Sequence, residues 1–408
     1  MKHTFTLLAT LLLAPLAARS ADTPQKATGL GYAVASRVEE FLGEPLFVPM
    51  QQLWEKRGGW GGVLTAKDGT VVAFQSPGGG NCRRSRDGGK TWDADIVIAP
   101  DAREGRALVD ETKGEILYVN PAAGWLYRSF DSGATWKRES VQVRPDGFGN
   151  IPKTEGVSAM QGGITLAFGK HKGRLIMPAR VMGPKSSNAV EWRPYHYSTA
   201  LYSDDGGAVW QTSHPFPVLG TGEAALAELS DGRILYNSRE HMSRGNRFMA
   251  HSDDGGELWI GAYRSPDLPD GARGTSYGLM GGMIRLPVPG HDILLYSNVD
   301  NDVGVLPAKV DGSIAIGREK ATVWASFDGG RTWPIKRLVY DGPSAYSNLG
   351  VGRVGTPSQG KIYLLFEGGP KGSHEAVQIV SFNLSWLLNG RNLNDLLAKP
   401  TAESASTK

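Results

Sequence analysis

The stretch Ser203-Asp-Asp-Gly-Gly-Ala-Val-Trp210 decides the fold, because the same eight-residue phrase occurs five times along the chain. The shared frame is S-x-D-x-G-x-[TVL]-W, and the copies begin at Ser85, Ser129, Ser203, Ser252 and Ser326. The Ser and Asp side chains can bond the backbone of their own loop, and the Gly at the fifth place tolerates a positive φ. Strand-like sequence precedes the phrase, so each copy predicts a hairpin loop whose Trp ring a neighbouring strand can cover.

The copies recur at intervals of 44, 74, 49 and 74 residues. Repeats of this size indicate propeller blades or another array of similar units. Six hairpin-like stretches support the same interpretation: Val63–Phe74, Glu115–Val119, Gly173–Met177, Asp231–Tyr236, Asp292–Tyr296 and Lys361–Phe366. The sequence therefore predicts an all-β fold. The last apolar stretch, Val377–Leu388, can complete the first or the last blade and so seal the ring against an unpaired edge.

The five phrases resemble the Asp boxes of the sialidase (neuraminidase) superfamily. This resemblance implies an all-β, six-bladed β-propeller with Asp-box loops. It implies much less about activity, because Asp boxes look like structural staples and also occur in propellers with other activities. We therefore expect all five copies to be structural.

The N-terminal residues are typical of an export signal. Lys2 is followed by an apolar run, Phe5–Leu16, and by small residues up to Ser20. The run is too short to span a membrane as a helix, so we expect a cleaved signal peptide at residues 1–20 and a secreted or periplasmic protein. An uncleaved anchor is the alternative. We expect an N-terminal arm at 21–50, one propeller at 51–390 and a polar C-terminal tail at 391–408.

Composition excludes several classes of function. The net charge is +3, and it falls to +1 without residues 1–20, so the sequence gives no case for nucleic acid or membrane binding. Cys82 is the single cysteine, which rules out an internal disulfide, and we expect it to be a small residue near a strand. The eight histidines show no metal-ligand spacing, so we expect neither a metal nor another cofactor. A monomer is expected.

The most informative stretch outside the repeats is Gly222–Arg239. It reads as a hairpin around an Asp-Gly turn, and hairpin geometry brings Glu223 and Arg239 together at one end. The alternative is a pair of solvated charges at a rim. Glu228 lies inside the same strand and is expected to be a structural partner. The stretch is similar to the sialidase segment in which a Glu opens a strand and an Arg ends the next.

A second stretch resembles the sialidases near the C-terminus. Arg318 precedes the last Asp box, and Tyr346 follows it in an Ala-Tyr-Ser segment. Glu367 matches the family's Glu that holds an active-site arginine. The resemblance implies that Tyr346 is the nucleophile and Glu223 its base, while Arg239 and Arg318 grip a substrate carboxylate.

The chemistry of an acidic sugar explains this choice of residues. Sialic acid carries a carboxylate on its anomeric carbon, so a carboxylate nucleophile would approach a like charge. A neutral Tyr hydroxyl avoids that repulsion once a nearby Glu takes its proton. Sialidases are the Tyr-nucleophile exception to the two-carboxylate scheme of glycosidases.

The sequence departs from the family pattern in the first blade. Gly59 stands where the family has an Arg, and the short loop Gln75–Asn81 lacks the family's acidic Asp. The candidates to replace the Arg are Arg57, Arg83 and Arg84. The candidates to replace the acid are Glu55, Asp101 and Glu104.

Three functions remain open from the sequence. The first is a secreted exo-α-sialidase-like hydrolase that acts on a glycan with a terminal acidic sugar by a retaining mechanism. The second is a glycosidase or lyase for a different acidic sugar on the same scaffold. The third is a glycan-binding propeller without turnover. The missing Arg and Asp favour the last two, whereas Tyr346 with Glu223 favours the first two.

Overall fold

The computed structural model describes residues 37–56, 58, 60–76, 80–152, 161–183, 193–242, 245–270, 278–300 and 318–397. These residues form an all-β fold with a β-propeller arrangement, as predicted. Hydrogen bonds connect the described strands into five sheets. The predicted signal peptide, residues 1–20, lies outside the described residues.

Three of the sheets are simple meanders of four antiparallel strands. The first consists of β2 (Gly62–Thr65), β3 (Val71–Gln75), β4 (Asn81–Ser85) and β5 (Ile96–Val97). The second consists of β6 (Arg106–Asp110), β7 (Glu115–Asn120), β8 (Trp125–Ser129) and β9 (Lys137–Ser140). The fourth consists of β15 (Thr221–Glu228), β16 (Ile234–Glu240), β17 (Phe248–Ser252) and β18 (Ile260–Arg264).

The third and fifth sheets are larger. The third consists of β11 (Ile164–Thr165), β12 (Leu175–Val181), β13 (Tyr197–Ser203), β14 (Val209–Thr212) and β10 (Gln142–Arg144), which pairs parallel with β14. The fifth consists of β19 (Gly282–Arg285), β20 (Leu294–Val299), β21 (Glu319–Ser326), β22 (Ile335–Val351), β23 (Ile362–Gly368), β24 (Ala376–Phe382) and β1 (Phe47–Trp54). Apolar clusters between neighbouring sheets form the core, which is why strands such as β3 and β12 are buried at every position.

The Asp boxes form the predicted loops, each between the third and fourth strands of its meander. In the copy at Ser203, the Ser hydroxyl is 2.8 Å from Asp205 Oδ1 and accepts from the Gly207 backbone N–H at 2.9 Å. Asp205 in turn accepts from two backbone N–H groups that follow it. The fifth-place glycines all have positive φ: Gly89, Gly133, Gly207, Gly256 and Gly330. The structure thus confirms the local role assigned to Ser, Asp and Gly.

Each Asp box also contacts the sheet that precedes it. A Cβ atom added at Gly207 would lie 3.0 Å from Leu117 Cδ2, and one added at Gly133 would lie 3.4 Å from Val72 Cγ1. One added at Gly89 would lie 3.0 Å from Cε1 of Tyr363, on β23. The first box therefore packs against the last sheet, and this contact closes the ring.

The two ends of the described chain meet in the fifth sheet. β1 pairs antiparallel with β24, with Phe47 opposite Phe382, so Val377–Leu388 seals the ring with the N-terminal strand. β1 begins inside the predicted 21–50 arm, because its side chains pack on β24. The described part of the arm before β1 contains a single 3₁₀ turn, Val38–Phe41.

Two short helices follow β24, α1 (Leu384–Leu388) and α2 (Leu393–Leu397). The described first part of the predicted polar tail, residues 391–397, is packed on the protein, because Leu393 and Leu396 are buried in the apolar core. No helix in the described ranges is long and apolar enough to cross a membrane. Cys82 lies buried on β4, and burial raises the pKa of its thiol to about 12, which agrees with a structural residue.

Glu228 links two neighbouring sheets. Its carboxyl group, at the end of β15, accepts from the backbone N–H groups of Ala167 at 2.6 Å and Phe168 at 3.0 Å. This is the structural partner role expected from the sequence. Burial raises the pKa of Glu228 to about 7.

Replacing Gly89 with Ala tests the ring-closing contact. We expect a loss of about 2–4 kcal/mol in the free energy of unfolding, because a Cβ there strains a positive φ and presses on the Tyr363 ring. Gly149→Ala is the matched control: its φ is also positive, but an added Cβ has nothing within 4 Å. We expect it to lose only about 1–2 kcal/mol. Equal losses in urea unfolding would show that the Tyr363 contact contributes nothing.

The raised pKa of Glu228 makes its contribution to stability depend on pH. The folded protein keeps this carboxyl protonated up to about pH 7, whereas the unfolded chain releases the proton near pH 4.5. The folded state binds more protons in between, so this contribution is lost as the pH rises through that window. We expect the stability advantage of the wild type over Glu228→Gln to shrink by about 3 kcal/mol between pH 4.5 and pH 8. An advantage that stays constant in urea unfolding would contradict this.

Candidate active site

Charged side chains from several sheets converge at one end of the inner strands. The start of one strand and the end of its antiparallel partner lie at the same edge of a sheet. Ala224 is paired with Ser238 in the β15–β16 ladder, so Glu223 and Arg239 lie side by side at that edge. The hairpin ends therefore meet as the sequence predicted.

Glu223 and Arg239 form a buried ion pair. Arg239 Nη1 donates to Glu223 Oε2, and Arg180 Nη1 lies 3.9 Å from Glu223 Oε1. Only 5% of Glu223 and 2% of Arg239 are exposed, which excludes the alternative of two solvated charges at a rim. Burial, the largest effect, raises the pKa of Glu223, but Arg239 and Arg180 together outweigh it and hold the pKa below its usual value. Glu223 is therefore ionised at neutral pH.

Tyr346 lies among rings and guanidinium groups at the same place. The Trp60 ring contacts it edge-on with centroids 5.0 Å apart, and Arg318 Cζ lies 5.3 Å from the centre of the phenol ring. Arg180 and Arg239 are both close enough to interact with the phenol electrostatically. No direct hydrogen bond joins Tyr346 to Glu223, both of which the structure describes. Arg180 and Arg239 connect them instead.

Arg318 is connected to Glu367 through a histidine. Arg318 Nη1 lies 2.7 Å from His374 Nε2, and His374 Nδ1 contacts Glu367 Oε2. Glu367 is fully buried, and its other oxygen accepts from the Gly58 backbone N–H at 3.0 Å. The predicted supporting residue thus reaches one of the predicted arginines indirectly. Arg57, the predicted third arginine, lies outside the described residues.

Two further arginines line the site and were missed by the sequence analysis. Arg180 ends β12, and its position in the otherwise apolar stretch Leu175–Val181 was the signal that could have found it. Arg106 begins β6 and donates to Ser76 Oγ at 3.2 Å. Burial lowers the pKa of both arginines, that of Arg106 to about 10. His374, also missed, lies in a polar loop and belongs to no recognisable motif.

Glu104 is the candidate acid that the structure brings nearest to these groups. It is half-buried and interacts electrostatically with Arg106 and Arg180. Its φ of +59° is unusual for a residue other than glycine, and such strain is concentrated at functional sites.

The other candidates from the first two blades are directed elsewhere. Asp101 accepts from the Tyr127 hydroxyl at 2.5 Å and pairs with Arg138. Glu55 is exposed. Arg83 pairs with Asp95 on the outer part of its sheet. Arg84 lies within electrostatic range of Asp68. None of the four has a described contact with Tyr346 or Glu223.

A buried hydrogen-bond network holds the backbone of Glu223. Arg247 is fully buried, and it donates to Asp270 Oδ1 at 2.8 Å, to Asn237 Oδ1 at 2.6 Å and to the Glu223 carbonyl at 3.3 Å. Asp270 also interacts electrostatically with Arg239. The network therefore fixes the backbone from which Glu223 projects.

Gln161 bridges two backbone segments beside the site. Its side-chain amide donates to the carbonyls of Gly281 at 2.8 Å and Ser347 at 3.1 Å, so it connects residues far apart in the chain next to Tyr346. On its other side is a channel cavity of about 310 Å³ along the inner strands. Within the described ranges, no cluster of three His, Cys, Asp or Glu side chains could hold a metal ion.

Comparison with known proteins identifies the family. Residues 83–363 match the family described as BNR repeat-like domain. A sialidase of Micromonospora viridifaciens is 28% identical over 371 residues, which cover 80% of this chain and 50% of that protein. A sialidase of Bacteroides fragilis is 26% identical over 321 residues, covering 69% of this chain and 53% of that protein. The chain thus spans about half the length of these curated relatives.

Solved structures agree on the fold. A Hadza microbial sialidase superposes with a TM-score of 0.58 at 21% identity, covering 81% of this chain and 66% of the other. An intramolecular trans-sialidase from Ruminococcus gnavus, in complex with oseltamivir carboxylate, has a TM-score of 0.56 at 16% identity, covering 84% and 95%. The repeats, the sheet arrangement and these matches lead to one conclusion: the chain belongs to the BNR repeat-like family of the sialidase superfamily.

Proposed function

We propose that this chain is a glycoside hydrolase that releases a terminal sialic acid, or a related acidic sugar, from glycans. The observation that carries the proposal is the convergence of three guanidinium groups, those of Arg180, Arg239 and Arg318, on the phenol of Tyr346 beside an ionised Glu223. Membership of the sialidase superfamily supports it.

The guanidinium groups provide the carboxylate clamp. Arg318 uses Nη1 for His374, while its buried Nε–H has no hydrogen-bond partner among the described residues. Arg239 is held by Glu223. An incoming sugar carboxylate would add charge-assisted hydrogen bonds from both arginines, and these bonds fix the anomeric carbon relative to Tyr346.

The same binding event would activate the base. In the free protein, Arg239 and Arg180 hold the pKa of Glu223 low, which makes it a weak base. A substrate carboxylate that engages these guanidinium groups offsets their charge, so Glu223 becomes more basic when substrate is present. Glu223 then takes the phenol proton, and the Tyr346 oxygen forms a bond to the anomeric carbon as the bond to the leaving oxygen breaks.

Glu104 is the proposed general acid. It would donate its proton to the leaving oxygen and later take one from the water that cleaves the sugar–Tyr346 bond. Two displacements at one carbon retain its configuration. Support comes from its strained backbone at the edge of the site.

A second candidate function is a hydrolase or lyase for a different acidic sugar. The observation that favours it is a fourth guanidinium group, that of Arg106, which lies within electrostatic range of Glu223 in addition to the three named above. A substrate with a second anionic or strongly hydroxylated group would use this donor. A glycan-binding propeller without turnover is the third possibility, and the assays below separate it from the two enzymes.

We also propose six blades, within a propeller that occupies residues 51–390. The long strand β22 pairs with β21 through its first half and with β23 through its second, so the seven-stranded sheet divides into two blades. Six strands supply residues to the channel wall, which supports this count: β2, β6, β11, β15, β19 and β22. Export directed by residues 1–20 and a monomeric state remain proposals that rest on the sequence.

Tyr346→Phe tests the nucleophile. We expect kcat on a fluorogenic α-sialoside to fall by at least about 10³-fold with little change in KM, because only the reacting oxygen is lost. Tyr340→Phe, on the same strand but against Phe366, is the matched control and should retain activity. Equal turnover by Tyr346→Phe and the wild type would show that Tyr346 is not the nucleophile. A wild type without turnover would remove the sialidase proposal, and a glycan array would then reveal a binder.

Glu104→Gln tests the acid. We expect a loss of about 10²–10⁴-fold in kcat on a sialylated glycan, whose leaving alkoxide needs a proton. An aryl sialoside leaves without that help, so its turnover should change little. Asp101→Asn is the control and should resemble the wild type on both substrates. Equal losses on the two substrates would assign Glu104 to another role.

A further inference from the structure

We propose that His374 is a positioning residue that orients Arg318 toward the substrate carboxylate. The choice of substrate in this inference rests on the proposed function, whereas the contacts of His374 do not depend on that function. His374 lies between the buried carboxylate of Glu367 and the half-buried guanidinium of Arg318. Its Nδ1 contacts Glu367, and its Nε2 lies 2.7 Å from Arg318 Nη1.

The chemistry of arginine fixes the proton on the imidazole. A guanidinium has five N–H donors and no acceptor, so Nε2 of His374 must accept from Arg318. A neutral imidazole then carries its proton on Nδ1, where Glu367 accepts it. Glu367 is itself held by the Gly58 N–H. The chain from Glu367 through His374 to Arg318 therefore sets the orientation of the guanidinium.

The position of Arg318 makes this series of contacts important for the site. His374 holds Nη1 of Arg318, and the guanidinium lies against the Tyr346 ring. His374 also contacts that ring, with centroids 5.5 Å apart. A substitution of His374 therefore alters the position of both Arg318 and the Tyr346 ring.

Two substitutions separate the acceptor from the bulk of the side chain. His374→Gln keeps an oxygen that can accept from Arg318, so we expect a near-wild-type KM. His374→Leu removes the acceptor, and we expect KM to rise about tenfold or more with a smaller change in kcat. The control is His214→Gln, an exposed histidine, which should leave KM unchanged. A wild-type KM for His374→Leu, or an equal rise in KM for His374→Gln and His374→Leu, would overturn the proposal.

A spectroscopic measurement tests the contact between His374 and Arg318 without relying on turnover. Heteronuclear NMR of the histidine side chains in the wild-type protein at pH 8 should show His374 with its proton on Nδ1, and Arg318→Lys should shift the Nε2 resonance. A proton on Nε2 would overturn the assignment. If the wild type does not cleave the α-sialoside but shows the expected tautomer, the proposed function fails while the coupling of His374 to Arg318 stands.

Discussion

Pairing between β1 and β24 is the constraint on which the rest of the molecule depends. Without it, β24 would be the exposed edge of the fifth sheet, and the two ends of the described chain would not be joined. Packing of the Gly89 loop against Tyr363 reinforces the same closure. A closed ring forces the edges of separate sheets toward one axis. The charged side chains at those edges then have to share a small volume.

The closeness of these charged side chains determines the electrostatics of the site. The buried guanidinium groups of Arg106, Arg180, Arg239 and Arg247 carry like charges, and Glu223 and Asp270 offset this repulsion from the fourth sheet and the loop after it. A buried charge is tolerated only when it is paired, so truncating either partner leaves a costly ion behind. An anionic ligand at the site, as the proposed function requires, would add a further partner for these guanidinium groups.

Sequence predicted the parts of this structure that are encoded locally. Ser203, Asp205 and Gly207 close their loop with bonds among themselves, and Glu223 and Arg239 are joined by one hairpin, so their geometry follows from neighbouring residues. Arg106, Arg180 and His374 reach the site only because different sheets are brought together, and no spacing in the chain records that contact. The buried Leu393 and Leu396 were missed for a related reason: the residues around them are polar, and only the completed core shows where they pack.

Gln161 has a consequence for the stiffness of the backbone that carries Tyr346. Its amide donates to the carbonyls of Gly281 and Ser347, and the same residue lines the channel cavity. Removing this amide would take a donor from both carbonyls, and the backbone beside the phenol would be held less firmly. The precision with which Tyr346 meets a ligand therefore depends on a side chain from a distant part of the sequence.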